Sequence, residues 1–241
     1  MTGLQKALAA LALLAGLVAG GLVGVAGIGH KYGVWDLAFA EGTLLHYGFL
    51  TAVAAGGAAV ITLLLGGIRG KLGGAFTAIM ALAVCGGVAY VPWKMQQQKE
   101  ASPELHDIST DTENPPAFVA LAGERGGNPV AYDPKLAALQ RKSYPDVVTY
   151  RSTESAAALH GKAAKAIEKL GWRVAENVPD EGRIEATSIT EWFGLKDDIV
   201  IRIAASESGG SIVDVRSASR EGTNDSGANA GHIRDFLAAL K

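Results

Sequence analysis

The sequence predicts three transmembrane α-helices followed by a soluble α+β domain, in which two helices cover an antiparallel four-stranded sheet in the order α-β-β-β-β-α. Residues 1–100 contain six Lys or Arg and three Asp or Glu between long apolar runs, whereas residues 101–241 contain sixteen and twenty-one. Beyond residue 150, apolar side chains recur first at helical spacing and then in alternation. We therefore predict a membrane anchor at 1–95, a linker at 96–103 and an α+β domain at 104–241.

Three apolar segments each reach the roughly 20 residues that cross a ~30 Å hydrocarbon core: residues 4–28, 44–68 and 73–93. The first is longer than the apolar core of a signal peptide, which predicts an uncleaved helix. The short loop Arg69–Lys71 carries two cations and no acid, while Lys94 and Lys99 argue for the opposite orientation. We predict a protein of the bacterial inner membrane, its N-terminus cytoplasmic and its C-terminal domain periplasmic, with the lipid bilayer as a partner.

The segment between the anchor and the sheet is polar and rich in turn formers. Residues 94–102 are predicted to form a tether, and the prolines of residues 103–118 forbid regular helix. His106, Asp107, Asp111 and Glu113 lack the glycine and closing glutamate of a calcium loop, so no metal or cofactor site is predicted. Residues 118–121 are expected to be a short strand or an anchor, and residues 133–141 a helical turn.

The core of the domain shows clear periodicity. Leu159, Ala163, Ala166, Ile167 and Leu170 share one helical face, after a possible cap at Ser152 or Thr153 and before a stop at Gly171. Alternating or apolar runs then predict strands at 172–178, 183–192, 198–205 and 211–219. A closing helix is predicted at 231–240, with Ile233, Phe236, Leu237 and Leu240 on one stripe.

Three stretches carry a resemblance to a known family. They are residues 106–118, which end in Glu-Asn-Pro-Pro-Ala-Phe, residues 182–202, with Trp-Phe-Gly-Leu-Lys-Asp-Asp from Trp192, and residues 213–229, which begin Val-Asp-Val-Arg-Ser-Ala-Ser-Arg. Over about residues 104–241 the chain resembles the bacterial membrane proteins grouped as domain of unknown function 1499. The resemblance implies hydrophobic N-terminal helices, and it implies no activity and no catalytic residue.

Polar side chains along the strands give the candidate binding site. If the helices cover the aliphatic face of the sheet, these side chains form a polar patch on the open face. Arginines beside serine hydroxyls and loop amides suit a phosphate or carboxylate group, whereas cross-strand pairs worth roughly 0.2–1 kcal/mol each are the alternative. The candidate binding residues are Trp192, Asp197, Asp198, Arg202, Asp214, Arg216, Ser217, Ser219, Arg220, Asp225 and Asn229.

The predicted strands 183–192 and 198–205 form a hairpin, and the aromatic residues at its tip allow two interpretations. Trp192 and Phe193 either dock on a partner or membrane surface, or close the end of the small core. The Gly16, Gly20 and Gly24 series in the first apolar segment indicates close helix packing, within the anchor or with a partner.

Composition and motifs restrict the function. The charge of residues 101–241, 16 − 21 = −5, argues against nucleic acid as a partner. Cys85 is the single cysteine and cannot form an intramolecular disulfide. Ser217 or Ser219 with His232 and Asp214 forms a trio that a domain of this size offers by chance.

We therefore predict a non-enzymatic accessory or binding module of the cell envelope that recognises a protein partner or an anionic lipid or sugar group. A purely structural domain is a further possibility. The enzymatic alternative is an envelope hydrolase, for which the sequence offers these acidic and histidine positions: Asp107, Asp111, Asp197 and Asp198 with His106 or His232.

Overall fold

The computed structural model describes residues 2–68 and 74–241, which form two compact units. One unit holds the residues up to Gln98 together with Trp192–Gly194, and the other holds Lys99–Glu191 and Leu195–Lys241. The first unit is the apolar, helical part of the chain with the three residues 192–194 added, and the second is the α+β part.

The first unit is helical. Helix α1 covers Thr2–Lys31, and the short α2, Leu37–Phe39, continues through a π-helical turn at Ala40–Leu45 into α3, His46–Ile68. Helix α4 covers Ala75–Ala101. Within the described residues there are thus three helical segments long and apolar enough to span a membrane, as predicted. The segment predicted to be a tether is helical, because α4 continues to Ala101, and the Arg69–Lys71 loop that determines the predicted orientation lies outside the described residues.

Small residues let these helices approach closely. A Cβ on Gly16 would lie 2.7 Å from the Cys85 Sγ of α4, and a Cβ on Gly48 would lie 2.7 Å from a Val23 methyl of α1. Both distances are shorter than real Cβ contacts, so a larger residue at either position would collide with a side chain of the neighbouring helix. Close packing within the helical unit therefore accounts for Gly16.

The hairpin tip belongs to the first unit. The Trp192 indole Nε1 donates a hydrogen bond to the Gly24 carbonyl (3.1 Å), and His30 Nδ1 lies 2.7 Å from the Phe193 carbonyl oxygen. A Cβ on Gly27 would lie 2.5 Å from the indole nitrogen. Phe193 is buried and Trp192 is half-buried, and neither ring is part of the α+β core. The interpretation in which both rings close that core is therefore wrong.

The second unit is built on one antiparallel sheet of six strands. The strands are β1 (Asp107–Ser109), β2 (Tyr150–Ser152), β3 (Arg173–Val178), β4 (Arg183–Ile189), β5 (Lys196–Ala205) and β6 (Ser211–Ser219). Their order is β1-β6-β5-β4-β3, and β2 pairs with the other end of β6. The prediction of four strands was wrong because β1 and β2 have three residues each, too few to show a period of two. Strand β6 has its predicted bounds, whereas β4 ends three residues early.

Helices cover one face of this sheet. Helix α6, Ala156–Lys169, begins at a Ser155 side chain that accepts a hydrogen bond from the Ala158 N–H (3.3 Å). Helix α7, Ala228–Leu240, closes the chain, and α5, Leu136–Ser143, precedes β2. The core between sheet, α6 and α7 includes Leu159, Ile167, Ile184, Ile199, Ile201, Val213, Ile233 and Phe236.

The other face is covered by chain without regular helix. Residues 110–132, here called the strap, contain one 3-10 turn at Ala122–Glu124 and otherwise irregular backbone. Phe118 and Leu121 of the strap pack on Val200 and Ala218 of the sheet in a small apolar cluster. This face carries five of the eleven candidate binding residues: Asp198, Arg202, Asp214, Arg216 and Arg220.

Candidate functional site

The polar face of the sheet is buried rather than open. Glu185, Thr187, Asp198, Asp214 and Arg216 are each at most 5% exposed. The prediction of an open polar patch was therefore wrong, because the strap covers these side chains. A buried charge costs several kcal/mol unless it is paired and hydrogen-bonded, so the partners of each charge decide what the face can do.

Arg216 is fully engaged with the protein. Its Nε and Nη2 donate to the two carboxylate oxygens of Asp107, at 2.9 and 2.7 Å. Its Nη1 donates to the Pro116 carbonyl (3.3 Å) and its Nη2 to the Val130 carbonyl (2.9 Å). The bidentate pair with Asp107 of β1 and the bonds to two strap carbonyls engage all three donor nitrogens of this predicted anion-binding arginine.

A second arginine continues the network from the strap. Arg125 donates from Nη1 to Asp198 (3.0 Å) and from Nη2 to the Ser219 carbonyl (3.0 Å). Burial lowers the pKa of the Arg125 guanidinium, and the Asp198 carboxylate acts against this shift. The Phe118 ring lies 4.8 Å from the guanidinium carbons of both Arg125 and Arg216.

Arg220 shares the same carboxylate. Its Nε and Nη2 donate to Asp198 at 2.9 Å, its Nη2 also donates to Glu124 (2.9 Å), and Thr187 Oγ1 donates to Asp198 Oδ1 (2.9 Å). Burial makes the largest single contribution to the pKa of Arg220 and lowers it. The hydrogen bond to Asp198 and the charge of that carboxylate act in the opposite direction, and the pKa is raised overall. Arg220 is thus a structural cation at the rim of the strap.

Glu185 holds the strap through its backbone. The carboxylate accepts hydrogen bonds from the N–H groups of Val119 (2.9 Å), Ala120 (3.1 Å) and Leu121 (2.9 Å), and it pairs with Arg183. This is the anchor expected at residues 118–121, although no strand forms there. Three N–H donors and one guanidinium satisfy a fully buried charge.

Arg202 is the candidate binding residue with unused donors. Its Nη2 donates to both Asp111 (3.0 Å) and Asp214 (2.8 Å), and its side chain is 29% exposed. Its Nε and Nη1 donate to no protein group in the part of the chain that the structure describes. These two nitrogens remain available to a ligand.

Arg202 lines a cavity between the strap and the sheet, here called the groove, with a volume of about 360 Å³. Its strap wall is mainly apolar and its opposite wall comes from β4, β5 and the turn before β4. The lining residues are Asn114, Pro115, Pro116, Ala117, Val119, Glu181, Arg183, Val200 and Arg202.

A separate buried cluster contains the serine, histidine and aspartate residues. Ser219 Oγ donates to Asp197 Oδ1 (2.5 Å) and Ser217 Oγ donates to Asn229 Oδ1 (2.6 Å). His232 Nδ1 lies 3.7 Å from Asp197 Oδ2 and 3.4 Å from Ser217 Oγ. A catalytic triad uses different imidazole nitrogens for the acid and the nucleophile, whereas here one nitrogen faces both.

This cluster is closed to solvent at the serine. Ser217 has no exposed surface, and burial raises the pKa of Asp197 against the effect of the Ser219 hydrogen bond and the nearby His232. Asp225 belongs to the same region, where it accepts hydrogen bonds from the N–H groups of Gly227 (2.8 Å) and Asn229 (2.9 Å). Hydrogen bonds of Asn229 with Ser217 and Ser219 therefore hold the start of α7 against β6.

The domain matches one protein-family model over residues 107–240, described as Protein of unknown function (DUF1499). The chain belongs to the DUF1499 family. The match covers more than half of the chain and confirms the resemblance seen in the sequence. No curated protein matches the chain.

Within the DUF1499 domain, the predicted site residues therefore separate into groups. Arg202 and Asp214 meet beside the groove, and Asp198, Arg216 and Arg220 lie in the buried network. Asp197, Ser217, Ser219, Asp225 and Asn229 lie near the start of α7, and Trp192 lies in the helical unit. Among residues 2–68 and 74–241, no three His, Cys, Asp or Glu side chains form a group that could hold a metal ion.

Sequence reasoning missed Arg125, the strap arginine under the Asp198 carboxylate. It stands in a glycine-rich loop with no periodicity, between Glu124 and Gly126. The sequence did offer one signal. Arg125 is an isolated cation in a loop, and the predicted strands carry several carboxylates, which suggests an ion pair between the loop and the sheet. The sequence alone does not specify which carboxylate it reaches.

Proposed function

We propose that this DUF1499 protein is a membrane-anchored, non-enzymatic binding module whose groove receives an extended segment of a partner protein. The observation that supports this is Arg202, which presents two unused donor nitrogens in a groove with an apolar strap wall. The groove volume, about 360 Å³, falls in the range of ~300–1,000 Å³ that is typical of ligand sites. Apolar walls with few polar groups bind a segment and fix its register.

Charge favours a peptide over the anionic lipid or sugar group. The two groove arginines, Arg183 and Arg202, contact five carboxylates, so the local charge is 2 − 5 = −3. Two like charges 4 Å apart repel by about 4 kcal/mol at an effective dielectric constant of about 20, which exceeds the roughly 1.5–3 kcal/mol of one charged hydrogen bond. A peptide carbonyl accepts from Arg202 without adding charge. The five carboxylates are Asp111, Glu176, Glu181, Glu185 and Asp214.

The hydrolase alternative has less support from the same contacts. Asp107 and Asp198 are hydrogen-bonded to arginines inside the network, and Asp111 pairs with Arg202. Asp197 is held by Ser219. A general base or metal ligand needs a carboxylate that can reach a substrate, and these four already accept hydrogen bonds from side chains of the domain itself.

For the cellular setting, we propose that α1, α3 and α4 cross the bacterial inner membrane, with the N-terminus cytoplasmic and the DUF1499 domain periplasmic. The length and apolar composition of the three helices support the crossing. The two cations of the Arg69–Lys71 loop support the orientation. An envelope protein is then the class of partner that the groove would meet.

The test places a photo-crosslinking amino acid at Val119, which lines the groove and is 58% exposed, in the full chain in its native membrane. We expect a specific protein adduct that falls about tenfold in Arg202→Lys, since lysine keeps the charge but lacks the two unused donors. The control carries the same amino acid at exposed Lys165 on α6. The proposal fails if Val119 captures nothing beyond the Lys165 control, or if Arg202→Lys leaves the adduct unchanged.

A further inference from the structure

The two edges of the sheet differ in whether their backbone groups can pair with a further strand. At one edge, β1 and β2 pair with β6, and the outer side of β1 is closed by a side chain. The Ser109 N–H donates to Gln140 Oε1 (3.0 Å), and Gln140 Nε2 donates to the Ser109 carbonyl (2.6 Å). The Gln140 amide therefore takes the place of a neighbouring strand, and this edge cannot pair with another chain at Ser109.

The opposite edge is open. Strand β3 pairs with β4 and with no other strand in the described residues. Arg173, Val174 and Ala175 are exposed, with 49% of the Val174 surface accessible. An edge strand of this kind presents a row of N–H and C=O groups that can pair with an added strand.

Among the described residues, strand β3 carries a cation without a carboxylate partner and a carboxylate that shares its cation with two others. Arg173 contacts no carboxylate in the part of the chain that the structure describes. Glu176 shares the Arg183 guanidinium with two other glutamates, Glu181 and Glu185, so three carboxylates have one cation among them. Each copy of the chain thus has an unused cation and an excess of negative charge on the same strand.

Register places both groups on one face of the sheet. Arg173 lies opposite Thr187 and Glu176 lies opposite Glu185, two β4 residues that both face the strap. The spacing is possible because a bulge between Val174 and Glu176 adds one residue to β3. A strand added to β3 would therefore meet Arg173 and Glu176 as neighbours on its own strap-side face.

We propose that β3 pairs in antiparallel register with β3 of a second copy of this chain. A two-fold axis between Val174 and Ala175 places Arg173 opposite the partner's Glu176 and Glu176 opposite the partner's Arg173, with Val174 opposite Ala175 at the centre. The two ion pairs neutralise the cation and the carboxylate that each copy leaves unbalanced. The bulge makes β3 a poor partner for an arbitrary added strand. The two ion pairs therefore favour this partner and this register over others.

The test is a disulfide between two differently sized tagged forms of the full chain, expressed together in their native membrane. Both carry Cys85→Ser, one carries Val174→Cys and the other Ala175→Cys, because these positions face each other in the proposed register. We expect a heterodimeric disulfide. Adding Arg173→Glu to both chains should lower its yield about tenfold, since both ion pairs become repulsive contacts, and Arg173→Glu with Glu176→Arg should restore it.

Matched controls separate this edge from any association through the helices. Lys165→Glu makes the same charge change on the exposed face of α6 and should leave the yield unchanged. Circular dichroism of each variant checks that the domain is folded. The proposal is overturned if the original pair gives no heterodimeric disulfide, if the double charge reversal fails to restore it, or if the Val174→Cys chain forms its disulfide with a different protein instead.

Discussion

The two faces of the DUF1499 sheet are both buried, but by opposite means. On the helix face, Ile184, Ile199 and Ile201 pack against α6 and α7 in an apolar core. On the strap face, Glu185 and Asp198 are buried to the same extent with their charges paired. Apolar packing has no preferred direction, whereas the ion pairs Arg125–Asp198 and Asp111–Arg202 each fix the position of one strap residue. An irregular segment can therefore cover a sheet as fully as helices do.

The largest change in stability that this difference between the faces predicts is at Arg216. Arg216→Met should lower the free energy of unfolding by about 4 kcal/mol, because it leaves Asp107 buried without its cation. The measurement is urea unfolding of the full chain in detergent, combined with hydrogen exchange of strap peptides. Faster exchange at residues 110–132 should exceed the change in peptides of α6.

The matched variant replaces both charges. Arg216→Met with Asp107→Leu should recover most of the lost free energy, because apolar groups of similar size can replace a buried ion pair at little cost. Recovery would show that the pair determines the strap arrangement more than the stability. A double variant as unstable as Arg216→Met would instead mean that the hydrogen bonds to Pro116 and Val130 carry the stability.

The second prediction tests the helix face. Leu159→Ala should cost about 3 kcal/mol, from lost apolar burial and a residual cavity. Because no charge is involved, this loss should stay the same between low and high salt in the same urea measurement. Ala157→Gly, an exposed change on the same helix, is the control for helix propensity. A salt-dependent loss in Leu159→Ala would contradict the division between the two faces.

The same division explains how much of the fold the sequence predicts. Leu159, Ala163 and Ile167 recur at helical spacing, so α6 was predicted, and β6 was predicted with its observed bounds. The strands β1 and β2 exist through pairing with distant β6 residues, such as Ile108 with Ser217, which no local pattern reports.

The candidate site was harder to predict, for a related reason. A row of charges along a strand has the same pattern whether it faces water or a strap. Arg216 and Asp107 are 109 positions apart in the chain, and their pairing decides that Arg216 is unavailable to a ligand. Arg202 was predicted as a binding residue together with its neighbours, but only the structure separates its unused nitrogens from the engaged ones.

The smallest predicted change in stability is at Asp197, a buried carboxylate on the helix side of the sheet, beside α7. Desolvation raises the pKa of Asp197 above its ordinary 3.8, so the folded state favours the protonated carboxyl. The stabilisation from this group is complete below the unfolded-state pKa and is lost as pH rises through the higher folded-state pKa. Asp197→Asn keeps an acceptor for Ser219 and removes the charge, so at pH 7 it should raise the free energy of unfolding by about 1 kcal/mol.

The pH dependence distinguishes this cause from a general amide effect. The difference between Asp197→Asn and the natural chain should shrink towards zero as pH falls well below the unfolded-state value of 3.8, because the natural carboxyl is then protonated in both states. Asp235→Asn, an exposed change on α7, is the matched control at each pH. If Asp197→Asn is instead less stable at pH 7, the ionised carboxylate stabilises α7 through His232, 3.7 Å away, and charge pairing outweighs burial at this end of the sheet too.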